Sequence, residues 1–349
     1  MMKRGLSTRN PITNPVAAYR ERQSLLRSEL HARDLDAAVL YCDISSGSDI
    51  AYLTHLTLYW SRGLLVIGAD GPIAFLPALS PRTEDWFEST GVFDQVLSST
   101  DLAHSLATII GEHGYRRLGL LERARFPHAL LREIDAALEV PGVDLGGLLR
   151  DLRVVPDAMA RGDLETAAEL AADAMRIIEQ RLAAGGNLVE ACAAAELDMR
   201  TAGAWEVVLT RPATANGSGV ILRCQLRDAW IATERLFGAS PDVETWIEAL
   251  RAATYAQLRP GLTADALRTA LAPHIAGFPS DAAHWEVVLE AAPDIESRPQ
   301  LGDAHSLQPG MAVHISVAVW NTTGELCALW GDTVMFESPG TIRPLINEE

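Results

Sequence analysis

Apolar positions recur at helical spacing near the start of the chain, with Leu25, Leu26 and Leu30 inside residues 16–33. This spacing predicts an amphipathic helix. The run from Asp34 to Tyr41 reads as a strand that ends in the Ser/Gly-rich loop Cys42–Asp49. Two more strands are expected at Gly63–Gly68 and Ile73–Leu76, joined by the turn Gly68-Ala-Asp-Gly71. Helix 101–113, strand Leu118–Leu121 and helix 127–138 follow, and the alternation is that of an α/β domain.

The pattern changes near Arg153, so an N-terminal domain 1–152 and a C-terminal domain 153–349 are expected. A long Ala/Leu/Glu-rich helix is read from Asp163 to Ala184 and is stopped by Gly185-Gly186. A second helix covers 188–202. The helix–Gly–helix arrangement recurs at 241–258 and 263–275 around Arg259-Pro-Gly261, with strand-rich stretches at 205–210, 219–237, 285–290 and 311–336. Two helix-pair-plus-sheet halves suggest an internal pseudo-repeat.

The chain has 349 residues, more than one hydrophobic core usually supports, which agrees with two domains. Its formal net charge of −17 argues against nucleic acid or an anionic membrane as partner. No stretch approaches the ~20 apolar residues of a membrane span. The basic N-terminus lacks the apolar stretch of a secretory signal. Cys42, Cys192, Cys224 and Cys327 show no zinc spacing, and a reduced, cytoplasmic setting is expected. Lys3 is the only lysine and sits on a polar tail, so Schiff-base and pyridoxal-phosphate chemistry is excluded by composition. No cofactor is expected. There is no nucleophile-elbow motif, no phosphate loop and no dinucleotide fingerprint.

Several stretches, in order, resemble one family. YRERQSLLRSELHARDLDAAVLY followed by DIAYLTHLT resembles the N-terminal domain of creatinase and prolidase. LRVVPDAMARGDLETAAELAADAM resembles that family's entry into its second domain, while AQLRPGLTADAL and LQPGMAVHISV match its RPG and PGM turns. The chain is thus similar to the creatinase, aminopeptidase P and prolidase family. That resemblance implies an α/β N-terminal domain plus an α+β pita-bread C-terminal domain, and a homodimer.

Family peptidases hold two divalent ions with two aspartates, one histidine and two glutamates, and the bridged water attacks the amide. Here Val207 through Arg227 contains no Asp or Glu, and Asp228 and Glu234 are out of phase with the family pattern. Ser316 and Gly331 stand at the two glutamate positions, and His284 aligns with the ligand histidine. The expectation is therefore no metal site. The metal-free chemistry of creatinase is not preserved either, because no histidine lies between His128 and His274. Tyr59-Trp60-Ser61-Arg62 resembles a creatinase stretch that binds the substrate carboxylate, so Trp60 and Arg62 are candidate substrate-binding residues. Their alternative is a core aromatic and a solvated arginine.

Along Met311–Val319, the residues Met311, Val313, Ile315, Val317 and Val319 share one apolar face, leaving His314 and Ser316 on the other. With Glu286 near His284, the candidate catalytic set is His284, His314 and Glu286, because a histidine is the readiest acid or base at neutral pH. The alternative is that these histidines are structural. Ser316 and Trp230 are candidate substrate-binding residues, and Trp205, Trp230, Trp285, Trp320 and Trp330 either line a reshaped pocket or pack in the core. Two functions are consistent with these readings. One is a metal-independent, repurposed enzyme acting on a small nitrogen-containing or carboxylated molecule in a specialised pathway, with C–N bond hydrolysis as its candidate reaction. The other is a catalytically inactive ligand-binding or scaffold protein, of which the family includes a histone-chaperone subunit domain.

Overall fold

The structure is a computed structural model that describes residues 15–44, 47–56, 58, 61–138, 141–227, 229–291, 305–337 and 341–346. The chain divides into two compact units, Met1–Arg153 and Val154–Glu349.

In the first unit the elements run α1 Val16–Ala32, β1 Ala37–Cys42, α2 Gly47–Thr54, β2 Gly63–Gly68, β3 Ile73–Pro77, α3 Glu84–Thr90, β4 Gln95–Val96, α4 Leu102–His113, β5 Leu118–Leu121, α5 His128–Ala137, β6 Val143–Leu145 and α6 Leu148–Arg153. One mixed sheet has the order β4-β3-β2-β1-β5-β6. β1 pairs antiparallel with β2 and parallel with β5, and all six of its residues are buried. Burial on both faces explains why Ala37–Cys42 is a continuous apolar run rather than an alternating one. One face packs against Leu26, Leu30, Ile50 and Leu53, the other against Leu106, Ile109 and Ile134. Asp101 caps α4 by accepting from the His104 amide, and Gly114 at φ 68 ends it in the left-handed conformation.

The loop expected over Cys42–Asp49 is shorter than its composition suggests, because α2 begins at Gly47. Asp49 is held inside this unit by Arg125 at 2.9 Å and Arg153 at 2.8 Å. Those two arginines lie far along the chain, so nothing local to the Ser/Gly-rich stretch reveals them.

The second unit contains α7 Ala158–Ala183, α8 Leu188–Thr201, β7 Glu206–Thr210, β8 Ser218–Leu226, β9 Ala229–Phe237, α9 Pro241–Gln257, α10 Ala264–Ala276, β10 His284–Ala291, β11 Ala312–Trp320, β12 Leu326–Phe336 and β13 Ile342–Pro344. The strand order β10-β11-β12-β9-β8-β7 sets β7–β9 and β10–β12 as mirror halves about the β9/β12 contact, with β13 beside β12. Helices α7 and α8 cover the first half through Leu164, Ala171, Ile178 and Met199. Helices α9 and α10 cover the second through Leu250, Leu267, Leu271 and Ile275. Each helix pair thus buries one face of its strand trio, which is the arrangement expected of the pseudo-repeat. α7 starts at Ala158, earlier than the expected Asp163, because Asp157 caps it by accepting from the Ala160 amide at 2.8 Å.

Candidate functional site

Strand alternation builds the site on the sheet face of the second unit that turns away from the helices. In β11, Val313, Ile315, Val317 and Val319 enter the helix-covered core, so His314, Ser316, Ala318 and Trp320 take the opposite face. Cross-strand registers then line up one row of residues over five strands. Val288 of β10 faces Ser316 of β11, Ser316 faces Gly331 of β12, Gly331 faces Glu234 of β9, and Glu234 faces Ile221 of β8.

Gly331 is the decisive residue in that row. Neighbouring strands lie about 4.8 Å apart, so Glu234 and Ser316 are separated by roughly twice that at the backbone. With no side chain at 331, the Glu234 carboxylate leans over the glycine, and the Ser316 hydroxyl donates to its Oε2 at 2.6 Å. Its Oε1 lies 3.5 Å from His314 Nε2, a long contact. A Cβ built on Gly331 would meet Glu234 Cγ and His314 Cε1 at 2.9 Å each. Glu234 is buried at 3% exposure and His314 at 0%.

This row forms the floor of a cavity of about 670 Å³. The sheet curls enough that Arg223 of β8 and Glu290 of β10, at opposite sides of five strands, approach to 3.6 Å. Glu234, Glu286, Glu290 and Ser316 line the cavity together with Arg223 and an apolar wall that includes Leu326 and Leu329.

The expected site residues separate into distinct places. His314 and Ser316 meet at Glu234. His284 does not join them: it faces Trp320 in the register, while His314 faces Glu290. Six residues of extended strand, about 20 Å, lie between those rows. His284 sits at an exposed end of β10, 3.3 Å from Glu286 and 5.2 Å from the Trp320 ring. The expected two-histidine cluster is therefore not formed. Glu286 lines the cavity, but its side chain is more than half exposed. Trp230 is buried against Ala232 and is not among the residues lining the cavity. The other tryptophans also scatter: Trp285 and Trp330 pack with the α9/α10 core, Trp205 with the α7/α8 core, and only Trp320 lines the cavity. Packing against two helix layers explains most of the tryptophan enrichment.

Trp60 lies outside the described residues. Arg62 immediately precedes β2 in the first unit, is exposed, and borders two cavities of about 470 and 690 Å³. Nearby Tyr41 has its phenol pushed up to about 12 by burial and then by Asp43, which accepts from it at 3.2 Å. The four cysteines are buried, and burial raises every thiol, that of Cys224 to about 12. None is set up as a nucleophile.

Sequence reasoning set Glu234 aside as out of phase and did not single out Glu290 or Arg223. One signal was available: Gly331 lies in the interior of a strand, and a glycine inside a strand marks close approach by another group. Among the described residues, no group of three or more His, Cys, Asp or Glu is placed to hold a metal ion. The donor set at the row, one histidine and one glutamate, does not fit a pair of divalent cations, which need several anionic oxygens.

Comparison with known proteins adds the family context. Residues 22–155 match the Creatinase/Prolidase N-terminal domain. No curated protein matches the chain. Among solved structures, the chain is similar to an Xaa-Pro dipeptidase from Bacillus anthracis, with TM-score 0.75 at 16% identity, covering 95% of this chain and 98% of that one. It is similar to dipeptidase PepE from Mycobacterium ulcerans, with TM-score 0.74 at 19% identity, covering 96% and 97%. It also resembles the N-terminal domain of the FACT complex subunit SPT16 from chickpea, Cicer arietinum, with TM-score 0.68 at 13% identity, covering 96% and 97%. At these identities the structural likeness speaks for fold and not for chemistry. Residues 22–155 resemble a creatinase/prolidase N-terminal domain, and the chain as a whole has the pita-bread fold seen in the creatinase, aminopeptidase P and prolidase family.

Proposed function

We propose that the chain is a metal-independent enzyme that acts on a small nitrogen-containing or carboxylated molecule in the cavity of the second unit. Glu234 is its proton-transfer group. The observation that carries this reading is the seating of Glu234 over Gly331, with Ser316 on one carboxylate oxygen and His314 near the other. A carboxylate held this way, in a cavity and with no lysine or arginine bridging to it among the described residues, is suited to general acid–base work. In the C–N hydrolysis this supports, water attacks the carbon and Glu234 takes the proton of that water. Glu234 then returns the proton to the departing nitrogen as the C–N bond breaks. Ser316 orients the water or the ligand. His314, fully buried, touches neither and acts by positioning Glu234.

A second reading, a non-catalytic ligand-binding protein, is favoured by that same burial of His314. A screen of small nitrogenous metabolites with Glu234→Gln separates the two. The enzyme reading expects turnover that falls about 10²–10⁴-fold in a variant that stays folded. Full turnover in folded Glu234→Gln overturns it. Binding without turnover, lost in the variant, establishes the second reading instead.

A further inference from the structure

Resting on that assignment of the cavity, we propose that its ligand is a small organic cation with an apolar body and no carboxylate, an ammonium or amidinium group carried on an alkyl or arylalkyl frame. Among the described residues, four carboxylates line the cavity, those of Glu234, Glu286, Glu290 and Glu325, against the single guanidinium of Arg223. Acidity alone would not specify a ligand; the state of Glu290 does. Its residue is 5% exposed, yet Oε2 has no hydrogen-bond partner among the described residues. Arg223 stands 3.6 Å away, near enough to compensate charge but too far for a hydrogen bond. A buried carboxylate oxygen left without a donor is costly, and an ammonium group supplies the missing donor as a charge-assisted one.

The rest of the lining selects the body of the ligand. Ile221, Val288, Ala318, Trp320, Leu326 and Leu329 give an apolar wall beside the acidic floor. Glu325 at the edge accepts from Asn321 and Thr323, and these hydrogen bonds hold its carboxyl below the usual range, so it stays ionised. A ligand carboxylate would enter among four glutamates, and the guanidinium of Arg223 already faces Glu290. The chain's charge of −17 also favours the approach of a cation.

The test uses the full chain and three probes of one shape: 2-phenylethylamine, 2-phenylethanol and phenylacetate, titrated calorimetrically at neutral pH. The amine is expected to bind at least about tenfold tighter than the alcohol, with phenylacetate weaker still. Added salt should weaken the amine alone. Glu290→Gln, which keeps shape and removes charge, should reduce that preference about tenfold. Ala318→Trp, which places bulk in the cavity, should abolish binding of every probe. Equal binding of alcohol and amine, a preference for phenylacetate, no binding of the amine at about 10 mM, or an unchanged preference in Glu290→Gln each overturns the cation assignment. Binding that ignores charge but is blocked by Ala318→Trp sinks this inference alone and leaves the cavity as the site. Binding untouched by Ala318→Trp removes both.

Discussion

At the scale of single residues, the site depends on a side chain that is missing. Gly331 gives Glu234 its path to Ser316, so Gly331→Ala should force Glu234 and His314 apart at the 2.9 Å contacts its Cβ would make. Overpacking of this kind costs about 1–3 kcal/mol. Gly111, inside α4, is the internal control, since a Cβ there meets nothing within 4 Å. Gly111→Ala should stabilise by about 0.5–1 kcal/mol through helix propensity alone. Chemical denaturation of both variants measures the contrast, and a neutral Gly331→Ala would show that the 234–331–316 row is looser than described. This residue also marks the limit of sequence reading. His314 and Ser316 were legible on one face of β11 from alternation alone. Glu234 was not, because its meeting with Ser316 depends on the register of β9 against β12 and of β12 against β11, which no local pattern encodes.

At the scale of elements, β12 carries a buried carboxylate of its own, on the face opposite Gly331. Asp332, with 0% exposure, accepts from Arg235 of β9 at 2.6 Å and from the Tyr255 hydroxyl of α9 at 2.5 Å, and Arg251 of α9 stands 3.6 Å away. Burial, and then Asp332, raises the Tyr255 phenol, which therefore remains a donor. The network ties α9 to the central β9/β12 contact and so holds the strand that presents Gly331. Asp332→Asn would leave the Arg235 charge buried without its counter-charge, at a cost of about 3 kcal/mol. Urea titration should show this loss, and a change below about 0.5 kcal/mol would demote the network to decoration. Helices and strands were largely legible because periods of 3.6 and 2 survive in the sequence, as in α1, α9, α10 and β11. α3 and the short strands β4 and β6 were not, since seven, two and three residues are too few to show a period.

At the scale of the whole molecule, length and the change of pattern near Arg153 led to the expectation of domains 1–152 and 153–349, and the compact units are Met1–Arg153 and Val154–Glu349. The family fold was legible from short turn motifs whose order is more specific than any one of them. The chemistry was not, because the same fold serves unrelated sites. The proposed metal independence has a direct consequence for the purified protein. Grown with manganese, cobalt and zinc in the medium, it should carry far less than one equivalent of any of them by elemental analysis. It should also leave Xaa-Pro dipeptides intact whether or not manganese is added. Two equivalents of a divalent metal, or manganese-dependent cleavage, would restore the peptidase reading.

The glycine at 331 also constrains the mutational history open to this chain. A carboxylate on β12 at that position and the carboxylate of Glu234 would claim the same volume, as the 2.9 Å clash of even a methyl group shows. The two acids are therefore mutually exclusive states, and no single substitution converts one into the other. Any path between them passes through a sequence that is small at one position and no longer acidic at the other, where the cavity floor carries neither. With Glu234 seated over residue 331 an acid there has no room, so the present site holds that alternative out by volume.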